Sequence, residues 1–285
     1  IAEVNEGEDS LYVTVYSYDR TAILCMIVLL FLLTLSLIGG RKGVYSAVAL
    51  IFTFVCIVFL FLPLIYRGVS PVWAAVLVAI LTTVVTMYLL GGISSKSVTA
   101  VVGTVLGVGI SGILAILFGK WTHISGYNVA DIEQLTYVGQ TTNIKIGELL
   151  YAGILISALG AVMDVAMSIA STINEIHFRN PLLSARELFF SGIRVGKDMM
   201  GTMSNTLILA FTGTSINTLV FLYVYNYSTT QIINMYSIGI ELIQGIASTM
   251  GVILTIPLVS LLSAWHLKRK EIKIFSKIFQ RTGRR

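Results

Sequence analysis

An acidic residue, Asp164, stands inside the apolar segment 155–175 of this 285-residue chain. An ionisable group near the middle of a bilayer costs roughly 3 kcal/mol or more unless it is protonated, paired or hydrated. Packing between membrane helices does not require a buried ionisable group, whereas a proton relay or a cation site does. Asp164 is therefore the first candidate for function, and Ser168 lies one helical turn from it on the same face.

A second acid, Glu241, lies near the start of the last apolar segment. No Lys or Arg lies at a comparable predicted depth to pair with either Asp164 or Glu241. Protonation, a bound cation and a water-filled cavity are then the three ways to stabilise each acid. For Glu241, a position in water at the outer interface is an equal alternative.

Polar and small residues recur at helical spacing in three predicted membrane spans, so each set shares one face. Such faces let helix backbones approach and form hydrogen bonds, and simple packing is the alternative to a binding role. The three sets are Ser157, Gly160, Ala161, Asp164, Ser168 and Ser171; Gly201, Thr202, Asn205 and Thr212; and Glu241, Gln244, Gly245, Ser248, Gly251 and Thr255. The candidate residues for binding a substrate or an ion are Asp164, Ser168, Thr202, Asn205, Glu241 and Gln244.

The sequence contains no complete motif for catalysis or for cofactor binding. Residues 109–112 match the GxSG pattern of intramembrane serine proteases, but a catalytic dyad would need a histidine within the membrane. The three histidines, His123, His177 and His266, all lie at predicted membrane edges. The sequence also lacks a His/Cys metal cluster and a phosphate-binding loop. It therefore predicts no enzyme, no cofactor and no metal.

The elements that must position the candidate residues are apolar helices. The chain is 56% hydrophobic and 12% charged, about half the charged fraction of a soluble domain. Repeated apolar runs near 20 residues long indicate an all-α polytopic membrane protein. The predicted spans are seven: 21–38, 44–62, 71–90, 98–119, 147–172, 199–224 and 240–264.

The distribution of basic residues predicts the orientation of these spans. With the N-terminus outside, 15 of the 19 Lys and Arg fall on the cytoplasmic side. This positive-inside asymmetry predicts an N-out, C-in topology. The net charge of +5 is explained by this topology and by a tail suited to an anionic lipid leaflet. We therefore expect the lipid bilayer, and no nucleic acid, as a partner.

Three regions follow from composition. Residues 1–19 are acidic and contain strand-forming residues at 11–16, which predicts the end of an extracytoplasmic β-rich region. A free acidic tail is the alternative for this segment. Residues 20–265 form the transmembrane helical domain, and 266–285 a basic cytoplasmic tail. Within the domain, 184–195 has the pattern of an interfacial amphipathic helix. Residues 229–239 form another short helix or lengthen the last span.

Longer motifs resemble the YibE/F family of bacterial multipass membrane proteins, from about residue 17 to the end of the last span. The matching stretches are GAVMDVAMSIAS (160–171), SGIRVGKD (191–198), GTMSNTL (201–207) and the segment from Glu241 to GVILTIP (251–257). The resemblance implies a permease-like protein of the bacterial cytoplasmic membrane. It also implies a membrane partner of the same type, because genes of the family often occur as adjacent pairs.

Two hypotheses for function remain at this stage. In the first, the chain is a transporter or permease subunit. Asp164, helped by Asn205 and by Glu241, binds a proton or cation in a cavity between the last three spans, next to an unknown small solute. In the second, the chain is a non-transporting scaffold or assembly factor, and its polar faces bind helices of a partner. The partner is a second copy of the chain or a paired family member.

Overall fold

The computed structural model describes residues 2–7, 10–15, 18–129 and 132–282, with side chains described for 18–129 and 132–269. Predictions about the side chains of the acidic start (1–17) and of the tail beyond 269 lie outside this description. The chain divides into two compact units, Ile1–Ile51 and Phe52–Arg285.

The first unit starts with two short strands and continues into a helix. Strands β1 (Ala2–Gly7) and β2 (Ser10–Val15) pair antiparallel, with Ala2 opposite Val15. Helix α1 spans Thr21–Cys56, and Asp19 precedes it. The backbone N–H of Thr21 donates to Oδ1 of Asp19 at 3.0 Å, and this bond lowers the pKa of the Asp19 carboxyl.

Helix α1 is interrupted at Gly40, within the predicted turn at 39–43. Gly40 has φ of +54° and ψ of −135°, a conformation outside the helical region. A Cβ on Gly43 would collide with the carbonyl of Leu35. Two residues eight positions apart lie about 12 Å apart along a straight helix. The contact therefore means that the chain bends sharply at Gly40.

The second unit holds the remaining helices. A single turn of π-helix at Ile57–Phe61 joins α1 to α2, and a 3₁₀ turn at Gly126–Asn128 follows α4. The α-helices are α2 (Leu62–Tyr66), α3 (Pro71–Gly91), α4 (Ser95–Thr122), α5 (Ile132–Thr141), α6 (Ile146–Arg179), α7 (Ala185–Thr214), α8 (Ile216–Val224), α9 (Thr229–Ile233) and α10 (Tyr236–Thr282).

The described helices confirm an all-α class for the membrane region and differ in detail from the seven predicted spans. Five helical segments are long and apolar enough to cross a bilayer, and the first of them, Thr21–Tyr66, covers two predicted spans. The predicted span 199–224 is not one helix, because α7 and α8 meet at Ser215 with a bend of 60°. Counted as one span, this pair gives a sixth.

Two loop segments have a different structure from the simplest expectation. Residues 184–195 do not form a separate helix and instead supply the first turns of α7. The first turn of α7 is stabilised by a capping box in which Ser184 and Glu187 exchange hydrogen bonds. Residues 229–239 divide between the short helix α9 and the start of α10. Both expectations for that segment are thus partly met.

Helix α6 lies at the centre of the second unit and packs against α3, α4, α7 and α10. Buried apolar side chains recur along most of its length. In a bilayer these contacts stabilise the bundle through close packing, because lipid tails are as apolar as the side chains they replace. The fully buried apolar residues of α6 include Ile154, Leu155, Val162, Val165, Ile169 and Ile173.

Helices α4 and α10 form the tightest antiparallel seam of the unit. The hydroxyl of Ser263 bonds that of Thr99 at 3.2 Å. A Cβ on Gly107 would collide with Thr255, and one on Gly103 would collide with Val259. The small residues Gly103, Gly107 and Ser111, spaced four positions apart on α4, therefore form a packing surface. The facing residues along the seam are Thr99 and Ser263, Gly103 and Val259, Gly107 and Thr255, and Ser111 and Gly251.

Candidate functional site

Helix α6 is covered by its neighbours on every side except one narrow stripe. Between residues 146 and 174 its exposed residues are Gly153, Gly160 and Asp164. They share one face because seven and eleven residues complete about two and three helical turns. No side chain lies within 4 Å of the positions that a Cβ on Gly153 or on Gly160 would occupy. The stripe is therefore an open face on an otherwise buried helix.

Asp164 lies close to the middle of α6 and at the centre of this stripe. The half-buried Ser168 and Ser171 continue the stripe towards the end of the helix. Among the described residues, none forms a hydrogen bond or an ion pair with the Asp164 carboxylate. A carboxylate on an open face at this depth cannot face lipid alone, because bare contact with hydrocarbon is too costly. The acid is therefore protonated there, or water, a cation or another polypeptide meets it.

Each border of the stripe is formed by a different helix. On one side the Met167 side chain reaches Gly91 at the end of α3, where a Cβ would lie 2.6 Å from its terminal methyl. Towards the start of α6, the side-chain amide of Gln244 on α10 donates to the Ser157 hydroxyl at 3.4 Å. This bond joins one predicted site residue to the face of α6 that carries Asp164.

Helix α7 presents its two predicted site residues, Thr202 and Asn205, on an exposed surface. The Thr202 hydroxyl donates to the Met199 carbonyl at 2.9 Å within its own helix. Within the described part of the chain, neither side chain bonds to Asp164. The buried side of α7 is the opposite one, where Gly192 and Gly196 pack closely on α10.

Glu241 lies in a cavity of its own, between the end of α7, helix α8 and the start of α10. The cavity measures about 160 Å³ and its polar lining is formed by Glu241, Thr212 and Ser215. The sequence pattern had singled out Thr212 but not Ser215, which becomes significant because the helix breaks there. The cluster Thr212–Ser215 of small hydroxyl residues and glycine was the available signal for that break.

The six predicted site residues thus occupy three places. Asp164 and Ser168 lie on the stripe of α6, Thr202 and Asn205 on the exposed face of α7, and Glu241 with Gln244 near the start of α10. The Ser157–Gln244 bond links the stripe of α6 directly to the residues near the start of α10. Among the residues that the structure describes, no three His, Cys, Asp or Glu side chains are grouped to hold a metal ion.

The chain was compared with protein families, with curated proteins and with solved structures. No curated protein and no solved structure matches it. Residues 27–269 match the family described as YibE/F-like protein. That match covers most of the chain and includes α3, α4, α6, α7 and the described side chains of α10. This multipass membrane protein therefore belongs to the YibE/F-like family.

Proposed function

We propose that this chain is a transporter or permease subunit of the bacterial cytoplasmic membrane in which Asp164 binds a proton or a cation. The observation that carries the proposal is the open stripe of α6, which holds a carboxylate midway along a helix that is otherwise buried. A small residue on each neighbouring turn leaves room for an ion or water to approach. The activity is binding and translocation, without a chemical step on the solute.

We propose seven membrane crossings with the N-terminus outside. A straight helix of the 46 residues Thr21–Tyr66 would be about 69 Å long, against a hydrocarbon core of about 30 Å. The bend at Gly40 supports two crossings by this segment, and the bent pair α7 and α8 supplies one more. The positive-inside asymmetry supports the orientation, and β1 and β2 are then the end of an extracytoplasmic region.

A second membrane subunit completes the site in this proposal. The stripe is open in the single chain, and a partner helix over it would replace lipid beside Asp164 with a protein surface or a hydrated gap. The partner is a second copy of the chain or a paired member of the family. Two such stripes facing each other would enclose a polar path between the subunits.

The test is charge movement in proteoliposomes adsorbed on a solid support, with a panel of cations, amino acids, peptides and anions. We expect a substrate-dependent current from the wild type and its loss in Asp164→Asn. Glu175→Gln is the matched control, since Glu175 is an exposed acid on the same face, where it pairs with Arg179 at 2.9 Å. A full current from a well-folded Asp164→Asn protein would refute the role of this carboxylate.

A scaffold or assembly factor is the second candidate, and the small residues of the stripe favour it. Gly153, Gly160 and Ser157 between them would let a partner helix approach closely and form hydrogen bonds. In that case the stripe is packed and dry in the assembled complex. Water access beside Asp164 distinguishes the two functions, as described in the second prediction below.

A further inference from the structure

Two cavities flank the first turns of α10, at the end of the unit where α4 ends and α10 begins. The larger measures about 520 Å³ and lies between α10 and the end of α4. The smaller is the Glu241 cavity of about 160 Å³ described above. Leu242 and Ile246, which are 51% and 45% exposed, line both, so the two cavities lie next to each other along α10. Together they form one bipartite groove.

The larger cavity is suited to an apolar body with aromatic character. Phe118 and Trp121 of α4 form one wall, and Met235 and Tyr236 form the opposite side. The volume falls in the range of about 300–1,000 Å³ that is typical of small-molecule sites. Trp121 and Tyr236 are 69% and 55% exposed. Aromatic residues of this kind mark a membrane–water interface, where amphiphilic molecules concentrate.

The smaller cavity supplies a negative charge. Glu241 is the sole ionisable residue among the residues that line either cavity, apart from the phenol of Tyr236. Within the described residues, no Lys, Arg or hydrogen-bond donor pairs with its carboxylate. A neutral or anionic ligand would leave that charge uncompensated beside an apolar wall, whereas a cation would pair with it.

We propose that this groove binds a lipophilic cation, with its apolar groups in the 520 Å³ cavity and its positive charge facing Glu241. If such a cation is the substrate class of the transporter, that part of the inference deepens the proposed function and rests on it. The binding site itself is inferred only from the two cavities and from the unpaired Glu241 carboxylate. In the proposed N-out topology the groove lies at the outer surface of the membrane, where such a molecule would arrive.

The probe is radiolabelled tetraphenylphosphonium, bound at equilibrium to the full chain in nanodiscs of neutral lipid. Tetraphenylborate is the matched ligand control, because it has the same shape and the opposite charge. We expect the phosphonium to bind at least tenfold more tightly than the borate. Equal affinity of the two ions would overturn the proposal.

Two sets of variants locate the binding. We expect Glu241→Gln to weaken phosphonium binding about tenfold and Glu241→Asp to retain most of it, while Glu133→Gln, an exposed acid elsewhere, has no effect. Trp121→Ala should weaken binding several-fold, whereas Trp73→Ala should not. Trp73 is 71% exposed on α3 and lines neither cavity. Unchanged binding in both Glu241→Gln and Trp121→Ala would refute the site.

Equilibrium binding separates this inference from the proposed function because it needs no ion gradient. Charge-selective binding that Glu241→Gln abolishes supports the site even if no current is found in proteoliposomes. That combination would count against electrogenic transport alone. A current that depends on Asp164, without phosphonium binding at this groove, would support transport and overturn the site. Size-exclusion profiles of each variant confirm that the losses do not come from unfolding.

Discussion

The side-chain amide of Gln244 on α10 donates a hydrogen bond of 3.4 Å to the hydroxyl of Ser157 on α6. Ser157 lies about two turns from Asp164 on the same face, and Gln244 lies about one turn from Glu241. The bond therefore connects the helix face that carries one predicted acid with the cavity that contains the other. It also joins residues that are 87 positions apart in the chain.

Removal of this bond should cost little and should show pairwise coupling. We expect Ser157→Ala and Gln244→Ala to interact in a double-mutant cycle with a coupling free energy of about 0.6 kcal/mol, the average for hydrogen bonds between membrane helices. The measurement is the free energy of unfolding in mixed micelles for the wild type, the two single variants and the double variant. Strict additivity would mean that the two side chains do not interact in the membrane.

Water access along the α6 stripe should separate the two proposed functions. In a chain whose Cys25 and Cys56 have been replaced, we expect Ser168→Cys to react with a small aqueous thiol reagent at least tenfold faster than Ala166→Cys. Ser168 lies on the stripe, whereas Ala166 is fully buried in the core. Equally slow reaction at the two positions in the membrane would favour a dry contact and hence the scaffold. The rates are measured by mass spectrometry of the labelled chain.

Glycine at position 107 should be required by the close approach of α4 and α10. A methyl group there would collide with Thr255 and lie 2.8 Å from Val162, so we expect Gly107→Ala to destabilise the protein by about 1–3 kcal/mol. Gly109, two residues along the same helix, has no such neighbour within 4 Å. Gly109→Ala should be neutral or stabilising by up to about 1 kcal/mol, because alanine favours the helix. Thermal unfolding in detergent measures both, and similar losses would contradict the seam.

The bend of α1 should depend on Gly40 and not on the glycine before it. Gly40 has φ of +54° and ψ of −135°, which an L-residue adopts at a cost of about 1–3 kcal/mol. Gly39 has ordinary helical geometry, and neither glycine has another group within 4 Å of its Cβ position.

We therefore expect Gly40→Ala to lower the yield of folded protein and its thermal stability, with Gly39→Ala close to the wild type. Both variants are compared by fluorescence-detected size-exclusion chromatography after heating. Equal behaviour of the two would indicate that the chain does not bend at Gly40 in the membrane.

Several features were determined by the sequence alone because they depend on local spacing. Hydropathy over about 20 residues suffices to identify membrane helices, and helical periodicity is enough to put Asp164 and Ser168 on one face. The four-residue spacing of Gly103, Gly107 and Ser111 likewise puts small residues on one helix face, and that face contacts α10. The family itself could be inferred from its contiguous motifs.

Other features were decided by tertiary structure, because they depend on neighbours that are distant in the chain. Periodicity shows that a helix has a polar face, but which face stays open depends on where the other helices pack. Asp164 lies on an open stripe for that reason, and Asn205 is exposed without a bond to it. Glu241 gained a cavity of its own because the helix before it breaks at Ser215. The seam between α4 and α10 likewise needs two segments more than 130 residues apart to meet at matching small residues.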